Sequence, residues 1–86
     1  MNHLINPKDV VKAYQIIRDK GEKDPNGYNY KGLFAENDLD GYTVFVTDGQ
    51  VNMAVYYHYK YNLEYSDNAM LERFKLKINE VLREAA

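Results

Sequence analysis

The chain contains no cysteine, which excludes a disulfide framework, a thiolate nucleophile and any cysteine-ligated zinc or iron–sulfur centre. That composition fits a reducing compartment. Serine occurs once, at Ser66, and histidine twice, at His3 and His58. Ser66 stands just ahead of a helical pattern and is explained as a helix cap rather than a nucleophile. Two isolated histidines give no HExxH or paired spacing for a catalytic zinc. The five glycines fall singly, so no glycine-rich phosphate loop exists. No stretch approaches the ~20 apolar residues that span a bilayer, and MNHLINPKDVV lacks a charged region followed by an apolar run. A cytoplasmic protein is expected. A dominant charge of one sign is missing too: 11 basic and 13 acidic residues leave a net charge of -2, unlike a polybasic tail or a disordered polyelectrolyte.

What is present is apolar and aromatic: 45% hydrophobic and 14% aromatic residues in a chain of 86, at the small end of domains that fold without staples. A single domain, 1–86, is expected. Asn6-Pro7 starts a helix with an N-cap and a proline at the first position, where its missing N–H costs nothing. Val10, Val11, Tyr14 and Ile17 follow at helical spacing, and Gly21 fits a left-handed helix end. Residues 21–27 (GEKDPNG) form a polar connector with a tight turn. Three strand-like runs follow, 28–35, 42–47 and 50–61. A two-residue Asp48-Gly49 turn would set Val46 against Val51, Val44 against Met53 and Tyr42 against Val55. From Ser66 or Asp67 a second helix carries Leu71, Phe74, Ile78, Val81, Leu82 and Ala85 on one stripe.

The expected fold is α+β, in the order α-β-β-β-α, with a three-stranded antiparallel sheet ordered 1-2-3 and both helices on one face. Alternation places Tyr30, Phe34, Tyr42, Val44, Val46, Val51, Met53, Val55, Tyr57, Tyr59 and Tyr61 toward the helices. The aromatic run YYHYKY (56–61) thus contributes three of its four tyrosines to the core. The opposite face would carry Lys31, Leu33, Phe45, Tyr56, His58 and Lys60, with Thr43, Asn52 and Ala54, and no helix remains to cover it. These six residues are the candidate partner-binding site, an apolar patch with cationic neighbours.

Other chemistries fit less well. Glu36-Asn37-Asp38-Leu39-Asp40-Gly41 resembles the start of a calcium loop, but the twelfth position is Thr47 and strands flank it instead of helices. Met1-Asn2-His3 has the spacing of a terminal Cu(II) or Ni(II) chelate, shared by any chain with histidine third. Nucleic-acid binding is the main alternative. The expected topology is that of double-stranded RNA-binding domains, and Phe45, Tyr56 and His58 with Lys31 and Lys60 would suit base stacking. Against it, the first loop and the start of the last helix are acidic where phosphate contacts need basic groups. Arg73, Lys75 and Lys77 alternate with Glu72 and Glu80 as on a solvated helix face. A small enzyme around His58 is a further alternative.

In Asp40-Gly41-Tyr42-Thr43-Val44, His58, Tyr61 and Tyr65 the chain resembles one of the short bacterial families catalogued only as domains of unknown function. The resemblance implies a bacterial cytosolic origin and no mechanism. The function expected from the residues is a non-catalytic interaction or regulatory module, with no cofactor or metal. It would bind a protein partner, or itself as a homodimer, through the open sheet face.

Overall fold

The computed structural model describes residues 5–38 and 42–84. Met1-Asn2-His3, residues 39–41 of the calcium-like loop and Ala85 of the second helical stripe lie outside the described residues, as does the core placement expected for the side chain of Tyr57.

Helix α1 (Pro7–Lys20) starts where expected: the Asn6 side chain accepts a hydrogen bond from the Lys8 amide, satisfying one of the unpaired amides of the first turn. The helix ends at Gly21, whose backbone is extended rather than left-handed. Helix α2 (Asn68–Glu84) is capped by Asp67, whose Oδ1 accepts from the Met70 amide at 2.9 Å.

Between the helices lies a six-stranded antiparallel meander, not a three-stranded sheet. Its strands are β1 (Glu22–Asp24), β2 (Gly27–Tyr30), β3 (Leu33–Asn37), β4 (Val44–Thr47), β5 (Asn52–Val55) and β6 (Tyr61–Glu64), in spatial order 1-2-3-4-5-6. The polar connector is itself a hairpin: β1 pairs with β2 across Pro25-Asn26, and Asp24 Oδ1 accepts from the Asn26 amide. The run 28–35 is two strands, because Lys31 and Gly32 both take positive φ (50° and 81°). Two consecutive left-handed residues suit the twist of a tight hairpin. The run 50–61 also folds back. After β5 a 3-10 turn (Tyr57–Tyr59) reverses the chain, and Tyr56 N–H donates to the Lys60 carbonyl as it returns. Residues 57–60 are therefore not strand, and β6 is the edge of the sheet on this side.

The β4–β5 connection spans Asp48–Val51, not Asp48-Gly49 alone, so Val46 faces Met53 and Val44 faces Val55. Side chains hold this longer loop. Asp48 Oδ1 accepts from the Gln50 and Val51 amides, while Thr47 Oγ1 accepts from the Gly49 amide and donates to the Val51 carbonyl. The displacement from the expected register is two residues, so each side chain keeps its expected face.

For β3 the face itself changes. Phe34 faces Thr47 and Ala35 faces Val46, which turns Leu33 and Ala35 toward the helices and Phe34 away from them. The core joins Val10, Ala13, Tyr14 and Ile17 of α1 and Phe74, Ile78 and Val81 of α2 to Leu33, Ala35, Val46, Met53 and Val55 of the sheet. Tyr42, Tyr59 and Tyr61, expected in the core, are exposed. Among the described residues no helix is long and apolar enough to cross a membrane.

The end of α2 is fastened to the β2–β3 turn. Lys31 Nζ lies 2.8 Å from Glu84 Oε2, the Tyr30 hydroxyl donates to Glu84 Oε1, and Lys20 Nζ reaches the Glu84 carbonyl. Lys31 first, then Tyr30, hold the Glu84 carboxyl below the usual carboxylate range. Glu84 in turn raises the Lys31 ammonium and the Tyr30 phenol. Because the folded value of Glu84 is lowered, its contribution is complete above the ordinary glutamate value and disappears as pH falls through the lowered one. At the alkaline end, the raised Lys31 contributes fully below the ordinary lysine value and loses that contribution as pH rises through the raised one. Melting curves of the wild type and Glu84→Gln should therefore differ most at neutral pH and converge in strong acid and strong base. An equal difference at every pH would show that the charged group is not what stabilises this end of α2.

Candidate interaction face

The sheet has one face packed on the helices and one that no described element covers. On the open face the first cross-strand row runs Glu22, Asn29, Phe34, Thr47, Asn52, Glu64. A second row runs Glu36, Phe45, Ala54, Asn62. Phe34, Phe45, Ala54 and Tyr56 border a shallow groove of about 310 Å³, which also meets Glu36, Asn52, Asn62 and Glu64. Phe45 and Tyr56 are 38% and 42% exposed. The apolar centre is thus aromatic, and its borders are amides and carboxylates.

The six residues expected to form this site separate into three groups. Phe45 and Tyr56 come together as expected. Leu33 does not: it is 1% exposed, on the helix side of β3, and Phe34 stands on the open face instead. Lys31, His58 and Lys60 are not strand residues of that face. Lys31 sits in the β2–β3 turn, paired to Glu84. His58 lies in the 3-10 turn, and Lys60 follows it. The expected cationic border is therefore replaced by an acidic one. Glu22, Asp24, Glu36 and Glu64 occupy open-face positions, and no strand residue of that face is basic. The signal that could have revealed this is Lys31-Gly32: two residues given to a turn move everything after them relative to the preceding strand. Two of the lysines on the solvated face of α2 have carboxylate neighbours, with Lys75 3.4 Å from Glu72 and Lys77 3.7 Å from Asp48.

His58 borders a second recess, of about 420 Å³, with Val11, Tyr42, Val44, Val55, Tyr56 and Tyr59. His58 and Tyr59 both have positive φ, 67° and 62°, a conformation that costs side-chain-bearing residues energy. The Lys8 ammonium sits 5.5 Å from the Tyr59 ring centre, within cation–π range. Tyr56 borders both the recess and the groove. Chemically the recess presents an imidazole and phenols among aliphatic side chains. Among the described residues no group of three or more His, Asp or Glu is placed to hold a metal ion.

A family model described as a protein of unknown function, DUF3081, matches residues 5–86. The chain belongs to this family. The match takes in both helices and all six strands of the DUF3081 domain. No curated protein and no solved structure matches the chain.

Proposed function

We propose that this DUF3081 domain is a non-catalytic, cytoplasmic interaction module that binds another protein through its open sheet face. The observation that carries this reading is the cluster of Phe34, Phe45, Ala54 and Tyr56 on a face no described element covers. Apolar groups grouped in a shallow groove with polar borders are the usual anatomy of a contact surface. Four carboxylate positions on that face favour protein over nucleic acid, whose phosphates they would repel. A catalytic reading at His58 would draw on the second recess, where tyrosine hydroxyls are the other titratable groups among the bordering side chains.

Replacing Phe45 and Tyr56 together by serine is expected to leave the fold intact, since both are exposed and neither belongs to the buried cluster. Surface changes of this kind shift stability by about 0.5 kcal/mol each. Proteins captured by the wild-type domain from its native lysate should be missing from the double variant's capture. Identical captures by folded wild type and variant would refute the reading, and an unfolded variant would show that the faces are assigned wrongly.

A further inference from the structure

The geometry points to a short extended segment as the occupant of the open face, with basic side chains on either side of apolar ones. This inference rests on the reading of that face as a contact surface and adds the chemistry of what binds there. It follows from the order of charges across the sheet. The first row reads acid, amide, Phe34, Thr47, amide, acid, from Glu22 on β1 to Glu64 on β6. Glu36 stands next to Phe45 in the second row. An apolar centre held between carboxylates is complementary to an apolar centre held between cations.

The pairing of charges elsewhere in the domain supports this. Glu84 has Lys31, Asp48 has Lys77 and Glu72 has Lys75. Among the described residues no cation pairs with Glu22, Glu36 or Glu64. Lys23, between Glu22 and Asp24 in the chain, lies on the helix side over the Tyr28 ring. A partner cation therefore gains an attraction that no internal pair first has to give up.

Spacing sets the length. Strands lie about 4.8 Å apart, so Glu22 and Glu64, five strand spacings apart, are separated by roughly 24 Å; an extended segment rising about 3.3 Å per residue covers that in roughly seven residues. Basic residues are expected near both ends of such a stretch, with aromatic or aliphatic residues over Phe34 and Phe45. A second copy of this chain fits poorly, because stacking two such faces sets carboxylates against carboxylates. Nucleic acid is disfavoured for the same reason.

The test is selection of a random twelve-residue peptide library, displayed on phage, against the wild-type domain, with Phe45→Ser/Tyr56→Ser as counter-selection. The consensus peptide is then synthesised and titrated against both proteins and against Glu22→Gln/Glu36→Gln/Glu64→Gln. The expected consensus has arginine or lysine on both sides of an apolar centre. Its affinity should fall at least tenfold in the triple variant, at least a hundredfold in the serine variant, and steeply with added salt. A consensus that needs Phe45 and Tyr56 but is neutral or acidic, or ignores the triple variant, overturns this inference and leaves the contact face standing. Failure to select any peptide that needs Phe45 and Tyr56 overturns both. A dimer mass by light scattering that the serine variant splits would make a second copy the occupant. Tight single-stranded RNA binding lost in the serine variant would make it nucleic acid. Either result overturns the inference.

Discussion

Leu33→Asp should leave the domain unfolded, while Phe45→Asp, on the opposite face of the neighbouring strand, should leave it folded. Leu33 is 1% exposed and packs in the cluster shared by both helices and the sheet. A carboxylate there would be desolvated with no partner, and among the described residues no buried polar or charged residue stands to receive it. Such changes exceed about 4–5 kcal/mol, comparable with the roughly 5–15 kcal/mol that holds a whole small domain together. The milder Leu33→Ala should cost about 2–5 kcal/mol, from lost transfer energy and the cavity left behind. Phe45 points to solvent, so aspartate there costs only on the order of 1 kcal/mol in strand preference. Circular dichroism and urea denaturation decide between the two. The opposite pattern, a folded Leu33→Asp and an unfolded Phe45→Asp, would mean that β3 is paired one residue out of the register described here.

The second large effect is expected at Gly27, the first residue of β2. Valine is among the best strand formers, so propensity alone would have Gly27→Val stabilise the sheet. The packing says the reverse. A Cβ at this position would lie 2.4 Å from the Ala35 carbonyl oxygen and 2.8 Å from Phe34 Cζ. The Phe34 ring can swing aside, but the Ala35 carbonyl belongs to an internal strand and its residue is fully buried. The backbone must then move, at a cost of about 1–3 kcal/mol or more, and each kcal/mol lowers the melting temperature of a domain this size by roughly 4–8 °C. Phe34→Ala should recover little in the double variant, since the carbonyl clash remains. A neutral or stabilising Gly27→Val would show that β2 and β3 do not approach as closely as described.

The two substitutions mark where the chain's pattern is easy to read and where it is not. Both helices and their N-caps are legible, because Asn6 and Asp67 act on amides two or three residues away. The faces of β4 and β5 are legible even though their register is not: a four-residue loop replaces the two-residue one, and a two-residue displacement preserves alternation. The face of β2 is legible too, since Tyr30 packs on the core side as expected, but that of β3 is not. Lys31-Gly32 lacks the Asn-Gly or Asp-Gly signature of a tight hairpin, yet both residues adopt positive φ, and the turn exchanges Leu33 for Phe34 on the open face. Likewise the aromatic run 56–61 has the composition of a strand and the backbone of a reversal, with His58 and Tyr59 left-handed.

By itself the sequence determined an α+β class with a helix at each end, antiparallel strands between them, an apolar stripe on each helix and an aromatic contribution to one uncovered face. Those features depend on periodicity and on contacts within a few residues. Tertiary structure alone decided that the sheet has six strands, that Leu33 is core and Phe34 surface, and that the open face is bordered by carboxylates and not by Lys31, His58 and Lys60. The physical reason is that alternation specifies faces only relative to a register. Register in turn is settled by turn conformations, and by which side chains the helices can bury, across strands distant in the chain.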